Sequence, residues 1–398
     1  MEDNSEDYAY EDDSVDVVYN NMVTNFTANK NKQTLVQIMI EYCNNPATTP
    51  QNIYDLKKEL EIRFSRDVRC DYCYKLSTPV NYGCDLREIL YNRNNELIQG
   101  GRELLDIFNA KKLPDIWHIM TDIDDTLYPN TEHGSYIAGS DTSWTQKDPY
   151  PGIELFYRLF YDKLPRNSRY TTLLSATPGC LKSKKLVDMK LSRILSNFGF
   201  IQGPESKLDV ASHVGEMITN CVSKYCGMTN PSTRVDSISD LFKLFGNTKF
   251  QRFKQYLSIF PEYKILFFGD NGQGDVLAGK QMVEFTDRCN VFIHKVSEDG
   301  RTFKISPEES EGIPRLNFFA NYVEAAQKLK DLGIFAQEDV ARIKTEFDEI
   351  VAKTHFMDKF KRTHGGKTKK YRHKKCKNNK TKKHKISKTK KRRINKKK

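Results

Sequence analysis

The chain has 398 residues, with 64 Lys or Arg against 52 Asp or Glu, and its formal net charge is +12. No apolar run approaches the roughly 20 residues that a membrane-spanning helix needs, which predicts a protein without a transmembrane segment. The acidic first residues do not resemble a signal or transit peptide. We therefore expect a cytoplasmic protein with reduced cysteines and room for one large and one small domain.

The first 110 residues are predicted to form two regions. Residues 1–30 are acidic and polar, which is typical of a disordered segment. Residues 31–110 are predicted to be helical, and the sequence leaves open whether they pack on the rest of the chain or bind a partner. The apolar residues that recur there at helical spacing are Leu35, Ile38, Met39, Tyr42, Leu86, Ile89 and Leu90.

Three cysteines of this region, Cys70, Cys73 and Cys84, raise the question of a zinc site. The Cys-x2-Cys spacing suits zinc, but no fourth ligand is evident at a usual distance. Ordinary thiols are therefore the favoured interpretation, with structural zinc as the alternative.

Two carboxylates, Asp122 and Asp124, follow the apolar run 116–120, which is predicted to be a buried strand. Carboxylates placed there repel each other and are costly to desolvate unless a cation lies between them. A bound divalent metal and phosphoryl chemistry, with one carboxylate as nucleophile, explains the pattern. The alternative is an acidic turn that caps the next helix. His118 is expected to be a packed core histidine and Asp125 a solvated turn acid.

Two further strands and a helix are predicted in an order that brings these residues together. Residues 171–174 are predicted as a strand ending in Ser175, and residues 264–268 as a strand ending near Asp270, with an amphipathic helix from Lys249 between them. Alternating strands and helices predict a doubly wound α/β fold with a parallel sheet. Ligands bind at the carboxyl edge of such sheets. The residues expected to converge there are Asp122, Asp124, Ser175, Asp270 and Asp275.

These strings resemble the four motifs of the haloacid dehalogenase (HAD) superfamily of phosphotransferases, and more narrowly the catalytic domain of the actin-patch phosphatidate phosphatase family. The resemblance covers roughly residues 115–335, within a domain that we place at 111–335. The strings that carry it are Asp122-Ile-Asp-Asp-Thr126, Pro151-Gly-Ile-Glu-Leu-Phe-Tyr157, Lys249-x3-Phe253-x2-Tyr256-Leu257-x2-Phe260-Pro261, Gly269-Asp-Asn-Gly-Gln273-x-Asp275 and Phe318-Phe319-x2-Tyr322-Val323-x-Ala325-Ala326.

Two differences from that family fall where substrate specificity would be set. The family's Ser-Ala-Ser-Pro-Trp string stands here as Ser175-Ala-Thr177-Pro-Gly179, without the tryptophan. The segment between Ser175 and Lys249 is also longer than usual. Both differences leave the residues of the phosphoryl chemistry in place.

The resemblance implies a Mg2+ site and a role for each residue. One oxygen of Asp122 attacks phosphorus and the other binds Mg2+, while Asp124 lends its carbonyl oxygen to the metal and acts as general acid and base. Ser175 and Lys249 stabilise the transferring phosphoryl group. The implied metal ligands are Asp122, Asp124, Asp270 and Asp275, with Asp275 alternatively holding a metal-bound water. The implied substrate-binding residues are Thr126, Ser175, Thr177 and Asn271.

The alternatives for single residues are structural. Ser175 or Asp275 would then cap a helix. Lys249 would then be an exposed lysine on the surface of its helix.

The C-terminal part is predicted to be one helix, 336–357, followed by a disordered basic tail, 358–398. From Lys359 to Lys398 there are 22 Lys or Arg and no Asp or Glu, so the rest of the chain holds 42 basic and 52 acidic residues, a net charge of −10. Such a tail is expected to bind polyanions with strong salt dependence. The polyanion would be nucleic acid or an anionic membrane surface. Alternatively, the tail is a nuclear signal near residues 390–393, or it pairs with the acidic body of the chain.

These patterns predict a HAD-type, magnesium-dependent phosphatase that forms an aspartyl-phosphate. The resemblance favours phosphatidate or a related lipid phosphomonoester as substrate, with protein or polynucleotide phosphate as the alternatives. A non-catalytic, polyanion-binding scaffold is the alternative of a different class. The expected location is cytoplasmic and peripheral at membranes, or nuclear through the tail.

Overall fold

The computed structural model describes residues 13–29, 31–61, 69–70, 82–83, 86–92, 95–129, 141, 143–145, 148–165, 168–175, 206–210, 238–272, 274–296 and 312–364. The chain divides into two units, Met1–Lys344 and Thr345–Lys398. All of the strands described below, and the candidate site, lie in the first unit.

The N-terminal part is built from helices and one small antiparallel strand pair. The elements are α1 (Asp13–Asn29), α2 (Lys32–Asn44), α3 (Pro50–Glu59), β1 (Arg69–Cys70), β2 (Tyr82–Gly83), α4 (Leu86–Leu90) and α5 (Gly101–Ala110). Asn31 caps α2, and Thr49 with Asn52 forms a capping box at the start of α3, so both helix starts are encoded locally.

The prediction of a disordered segment over residues 1–30 is wrong for α1. Val15, Tyr19, Met22 and Phe26 lie on one face of this helix and are buried. Their spacing is that of an amphipathic helix, and the face joins the core formed with α2 and α3. The averaged acidic composition of the segment concealed this stripe.

The helical prediction for residues 31–110 is confirmed for α2, α3, α4 and α5, whereas the short pair β1–β2 differs from it. Leu35, Met39, Leu86, Ile89 and Leu90 are buried, and Ile38 and Tyr42 pack partly buried against the same core. Cys70 lies in β1, while Cys73 and Cys84 lie outside the described residues. The zinc alternative therefore stays a prediction.

A six-stranded, all-parallel sheet follows, in the order β5-β4-β3-β6-β7-β8. Its strands are β3 (Ile116–Thr121), β4 (Thr171–Ser175), β5 (Ser206–Val210), β6 (Tyr263–Asp270), β7 (Cys289–His294) and β8 (Leu316–Phe319). The first strand in sequence, β3, lies in the middle, paired with β4 on one side and β6 on the other. The carboxyl ends of β3 and β6 are therefore neighbours.

Helices cover both faces of this sheet, as the doubly wound prediction requires. Four helices alternate with the strands: α6 (Ile153–Asp162), α7 (Ile238–Ile259), α8 (Asp275–Phe285) and α9 (Tyr322–Asp331). Along β6, Ile265 and Phe267 pack with α7, α8 and the N-terminal helices, whereas Leu266 and Phe268 pack with α6 and α9. This alternation is the two-residue period of a strand that is buried on both faces.

Buried polar contacts join the N-terminal helices to α7 and β6. Nζ of Lys57, on α3, donates to Ile259 O at 3.1 Å and to Glu262 Oε1 at 2.7 Å, where α7 leads into β6. The phenol of Tyr54 lies 3.0 Å from that of Tyr263. Within the described residues, the region therefore packs on the α/β part of the chain.

The C-terminal helix, α10, runs from Gln337 to His364. It is longer than the predicted 336–357, and the expected disorder of 358–398 is wrong for residues 358–364. Residues 365–398, which carry 19 of the 22 Lys or Arg of the tail 359–398, lie outside the described residues. No helix in the described part of the chain combines the length and the hydropathy needed to cross a bilayer.

Candidate active site

Three buried aspartates meet where β3 and β6 end. Asp122 follows β3, Asp270 is the last residue of β6, and Asp275 is the first residue of α8. One carboxylate oxygen from each lies within 4.8 Å of the others, and the three side chains are almost inaccessible to solvent. The predicted convergence of these three residues is confirmed.

Main-chain contacts hold the three aspartates in place. The backbone N of Asp122 donates to Phe268 O at 2.8 Å, extending the β3–β6 pairing past the end of β3. Oδ2 of Asp275 accepts from the backbone N of Asp270 at 3.2 Å. A Cβ at Gly269 would lie 2.6 Å from the Cβ of Asp275, so only glycine allows this approach of α8 to β6.

Lys249 lies between two of the carboxylates. It extends from α7 and is fully buried. Its Nζ lies 3.0 Å from Oδ1 of Asp122 and donates to Oδ1 of Asp275. The alternative of an exposed helix lysine is therefore wrong, because the ammonium group lies buried at the carboxylates.

The charges of this cluster perturb one another. Burial, with the neighbouring Asp275 and Asp124, raises the pKa of Asp122 to about 7, against the lowering effect of Lys249. Burial and Asp275 likewise raise the pKa of Asp270 well above its usual range. For Lys249, burial acts to lower the pKa, but Asp122 and Asp275 outweigh it and raise the pKa. The electrostatics of the cluster are therefore dominated by three buried carboxyl groups that share one cation, Lys249.

This donor set fits a divalent cation. Oδ1 of Asp270 accepts from Gly272 N at 2.5 Å, whereas Oδ2 of Asp270 is buried and has no hydrogen-bond partner among the described residues. A buried carboxylate oxygen without a partner is costly. Oxygen ligands with excess negative charge are what Mg2+ prefers.

A tight turn at residues 125–127 follows Asp124, and Asp124, Asp125 and Thr126 are all buried. The prediction of a solvated Asp125 is wrong: its side chain is only 1% exposed, and Oδ2 accepts from Asp141 N at 3.1 Å. The Thr126 carbonyl accepts from the Tyr322 phenol at 3.0 Å, and Oγ1 of Thr126 has no hydrogen-bond partner within the described ranges.

The remaining predicted site residues are placed only in part. Ser175 ends β4, the strand beside β3, so its backbone lies at the same edge of the sheet as Asp122. The side chain of Ser175 and the whole of Thr177 lie outside the described part of the chain. Asn271 is buried, and its Oδ1 accepts from Val296 N at 3.0 Å. This contact fixes the segment after β7, and a role in substrate binding stays a prediction.

His118 is a core residue, as expected. Its Nε2 lies 2.9 Å from Oγ1 of Thr172, and its ring stacks on that of Tyr263 with centroids 4.4 Å apart. Burial, helped by Lys58, lowers its pKa to about 3. A neutral, packed imidazole away from the carboxylates is not a metal ligand.

Asp141, Tyr150 and His294 adjoin the site without having been predicted. His294 ends β7, and its Nδ1 donates to Asp125 O at 2.8 Å. The signal available was the position of a polar residue at a strand end, the same rule that indicated Asp122. Asp141 and Tyr150 precede α6, and no spacing in the sequence marks them.

No protein-family model, curated protein or solved structure matches this chain. The fold and the site define an α/β protein that carries a buried carboxylate–lysine cluster at the carboxyl edge of its parallel sheet. Its function is therefore inferred from that cluster and from the sequence motifs.

Proposed function

We propose that the protein is a magnesium-dependent phosphatase of the haloacid dehalogenase type that works through an aspartyl-phosphate. The observation that carries the proposal is the buried cluster of Asp122, Asp270, Asp275 and Lys249 at the carboxyl edge of the sheet. A parallel sheet binds ligands at this edge. The order of the four motifs along the chain supports the same assignment.

Asp122 is the proposed nucleophile. Its carboxylate oxygen forms a bond to phosphorus as the bond from phosphorus to the leaving oxygen breaks. Asp124 gives its proton to the leaving oxygen, then takes a proton from the water that attacks the aspartyl-phosphate. In this second step the water oxygen bonds to phosphorus as the bond from phosphorus to Asp122 breaks, which gives inorganic phosphate, free Asp122 and reprotonated Asp124.

The other residues supply charge and position. Lys249 holds Asp122 in place and offsets the negative charge that develops on the phosphoryl oxygens. Asp122, Asp270 and Asp275, with the Asp124 carbonyl, would hold Mg2+. Bound there, Mg2+ would offset the charge of a phosphomonoester that otherwise repels a carboxylate nucleophile. Ser175, Thr177, Thr126 and Asn271 are the proposed contacts to the substrate.

A lipid phosphomonoester, phosphatidate or a relative, is the proposed substrate class. The resemblance to the actin-patch phosphatidate phosphatase family supports it, and a basic tail of 22 Lys or Arg over residues 359–398 suits an anionic membrane surface. The missing tryptophan after Pro178 and the long segment before Lys249 keep protein and polynucleotide phosphates as alternatives.

Phosphate release from four substrates tests the proposal. Phosphatidate in mixed micelles, an aryl phosphate, a phosphopeptide and an end-phosphorylated oligonucleotide would be given to wild type and Asp122→Asn, with and without Mg2+. We expect Mg2+-dependent release by wild type alone, fastest from phosphatidate. Release by both proteins would exclude the aspartyl nucleophile, and none from any substrate would favour the polyanion-binding scaffold.

Sedimentation with vesicles tests the role of the tail. The full chain and a chain lacking residues 359–398 would be pelleted with vesicles that contain anionic lipid, at low and high salt. We expect the full chain alone to pellet, and to be released by salt. Equal pelleting of both proteins would remove the tail from the proposal, and stronger retention by an oligonucleotide would favour nucleic acid.

A further inference from the structure

The turn that carries the two catalytic aspartates contains an unusual residue. Asp125 has a φ of +57°, in the left-handed region that glycine adopts most readily. Its side chain is also buried, at 1% exposure. Burying a carboxyl group is costly without compensating contacts. A backbone requirement alone would favour glycine, so the carboxyl group needs its own explanation.

The main chain of Asp125 joins this turn to the strand beside Asp270. Its N donates to Tyr128 O at 2.9 Å, which closes the turn. Its carbonyl accepts from Nδ1 of His294 at 2.8 Å. His294 is paired in register with Asp270 on the neighbouring strand. The turn is thus connected through His294 to the paired strands β6 and β7, and β6 carries Asp270.

The side chain of Asp125 joins the turn to a segment that precedes α6. Its Oδ2 accepts from Asp141 N at 3.1 Å. Asp141 is fully buried and accepts from Ser143 N at 2.9 Å, from Ser143 Oγ at 2.7 Å and from the Tyr150 phenol. These bonds hold Asp141 in place by its carboxyl group. Its backbone N, which donates to Oδ2 of Asp125, is thereby held in place as well.

Tyr150 closes the set of contacts. Its ring packs edge-on against His294, with centroids 4.6 Å apart, and its N donates to Leu127 O at 3.2 Å. Asp125, Asp141, Tyr150 and His294 therefore form a closed loop of contacts, here called the Asp125 network.

We propose that Asp125 is a positioning residue, whose carboxyl group fixes the turn carrying Asp122 and Asp124 relative to Asp270 through the Asp125 network. Its effect on catalysis rests on the proposed function, and its effect on the turn does not. Catalytic groups need to be held to within about 0.5 Å by such supporting contacts. Loss of a supporting contact around a metal site typically costs about 10- to 100-fold in metal affinity or activity.

Two substitutions at this position separate the carboxyl group from the backbone conformation. Asp125→Gly suits a φ of +57° but removes the acceptor for Asp141 N. Asp125→Asn keeps an oxygen acceptor and tolerates the left-handed region. If conformation alone mattered, glycine would be the better residue. We expect the opposite, with asparagine close to wild type and glycine impaired.

Hydrogen exchange and Mg2+ binding on the full chain are the measurements. We expect amides over residues 122–128 and 141–150 to exchange at least about 10-fold faster in Asp125→Gly than in wild type, and Asp125→Asn to match wild type within a few-fold. Calorimetry should give Mg2+ affinity about 10- to 100-fold weaker for Asp125→Gly alone. Wild-type exchange and affinity in Asp125→Gly, or equal impairment of both variants, would overturn the proposal.

A second variant and the choice of readout keep the test decisive. If circular dichroism shows that Asp125→Gly does not fold, Tyr150→Phe serves as the second variant. It keeps the ring and removes only the hydroxyl that donates to Asp141, and it should speed exchange over 141–150. Wild-type exchange there would overturn the proposal. Exchange is measured on metal-free protein, so failure of wild type to release phosphate would contradict the proposed function and leave this inference standing.

Discussion

Nζ of Lys249 lies 3.0 Å from Oδ1 of Asp122, and both side chains are buried. Lys249 comes from α7 and Asp122 from the end of β3, so a helix on one face of the sheet supplies the cation for a carboxylate at its edge. Asp275 shares the same ammonium group. This arrangement gives Lys249 a structural role, to which the proposed mechanism adds a catalytic one, and the two can be measured separately.

Lys249→Met should lower both stability and activity. Without Mg2+, the substitution leaves Asp122 and Asp275 as buried carboxylates without their cation, which typically costs about 3–5 kcal/mol in the free energy of unfolding. Phosphate release should fall by about 100-fold or more. Urea unfolding and turnover would be compared with Lys254→Met, a partly exposed lysine of the same helix. Wild-type turnover by Lys249→Met would contradict the catalytic role.

Mg2+ should stabilise the wild-type chain and not Asp270→Asn. A ligand that binds only the folded state adds about 2.7 kcal/mol at 100 times its dissociation constant. Asp270 holds the buried oxygen that has no hydrogen-bond partner among the described residues. Thermal unfolding with and without Mg2+ would show the effect, with the exposed Asp287→Asn as control. An equal Mg2+ shift in Asp270→Asn would place the metal elsewhere.

Lys57→Met should destabilise the chain through its partner. Lys57 and Glu262 are buried and 2.7 Å apart, so removing the lysine leaves an uncompensated buried carboxylate. We expect a loss of about 3–5 kcal/mol, most of it restored in the double variant Lys57→Met/Glu262→Gln. Urea unfolding of the four proteins of this cycle gives the coupling. Additive losses would indicate that the ion pair does not join the N-terminal helices to β6.

His118 should make the chain less stable in acid. Its folded pKa of about 3 lies below the usual value of 6.5. The unfolded chain therefore binds the proton first, and stability falls as pH falls from about 6.5 towards 3, by up to about 1.4 kcal/mol per pH unit. The raised pKa of Asp122 acts in the opposite direction, so the comparison is with His118→Gln. A stability difference between the two proteins that does not change from pH 7 to pH 4.5 would contradict this.

The sequence predicted the site best for polar residues at the carboxyl ends of predicted parallel strands. Asp122 follows β3 and Asp270 ends β6, and the pairing of these two strands in the parallel sheet brings the two residues together. Lys249 was found through helical spacing and the family resemblance. These features are local or follow from topology, so they can be read without knowledge of side-chain packing.

The missed features depend on contacts between distant residues. Asp125 is held by Asp141, in the segment before α6, and by His294, at the end of β7. Packing of the N-terminal helices depends on Lys57 meeting Glu262 across about 200 residues of sequence. In α1, the apolar stripe was present in the sequence but was hidden by the acidic average. Such long-range pairs leave no periodic signal in a single sequence.

Trapping of the covalent intermediate tests the central claim most directly. Wild type and Asp122→Asn would be mixed with phosphatidate or an aryl phosphate and Mg2+, quenched in acid and mapped by mass spectrometry. We expect a phosphoryl group on the peptide that contains Asp122, formed only with Mg2+ and absent from Asp122→Asn. Turnover of the same substrate without any phosphorylated protein, and undiminished in Asp122→Asn, would contradict an aspartyl-phosphate mechanism.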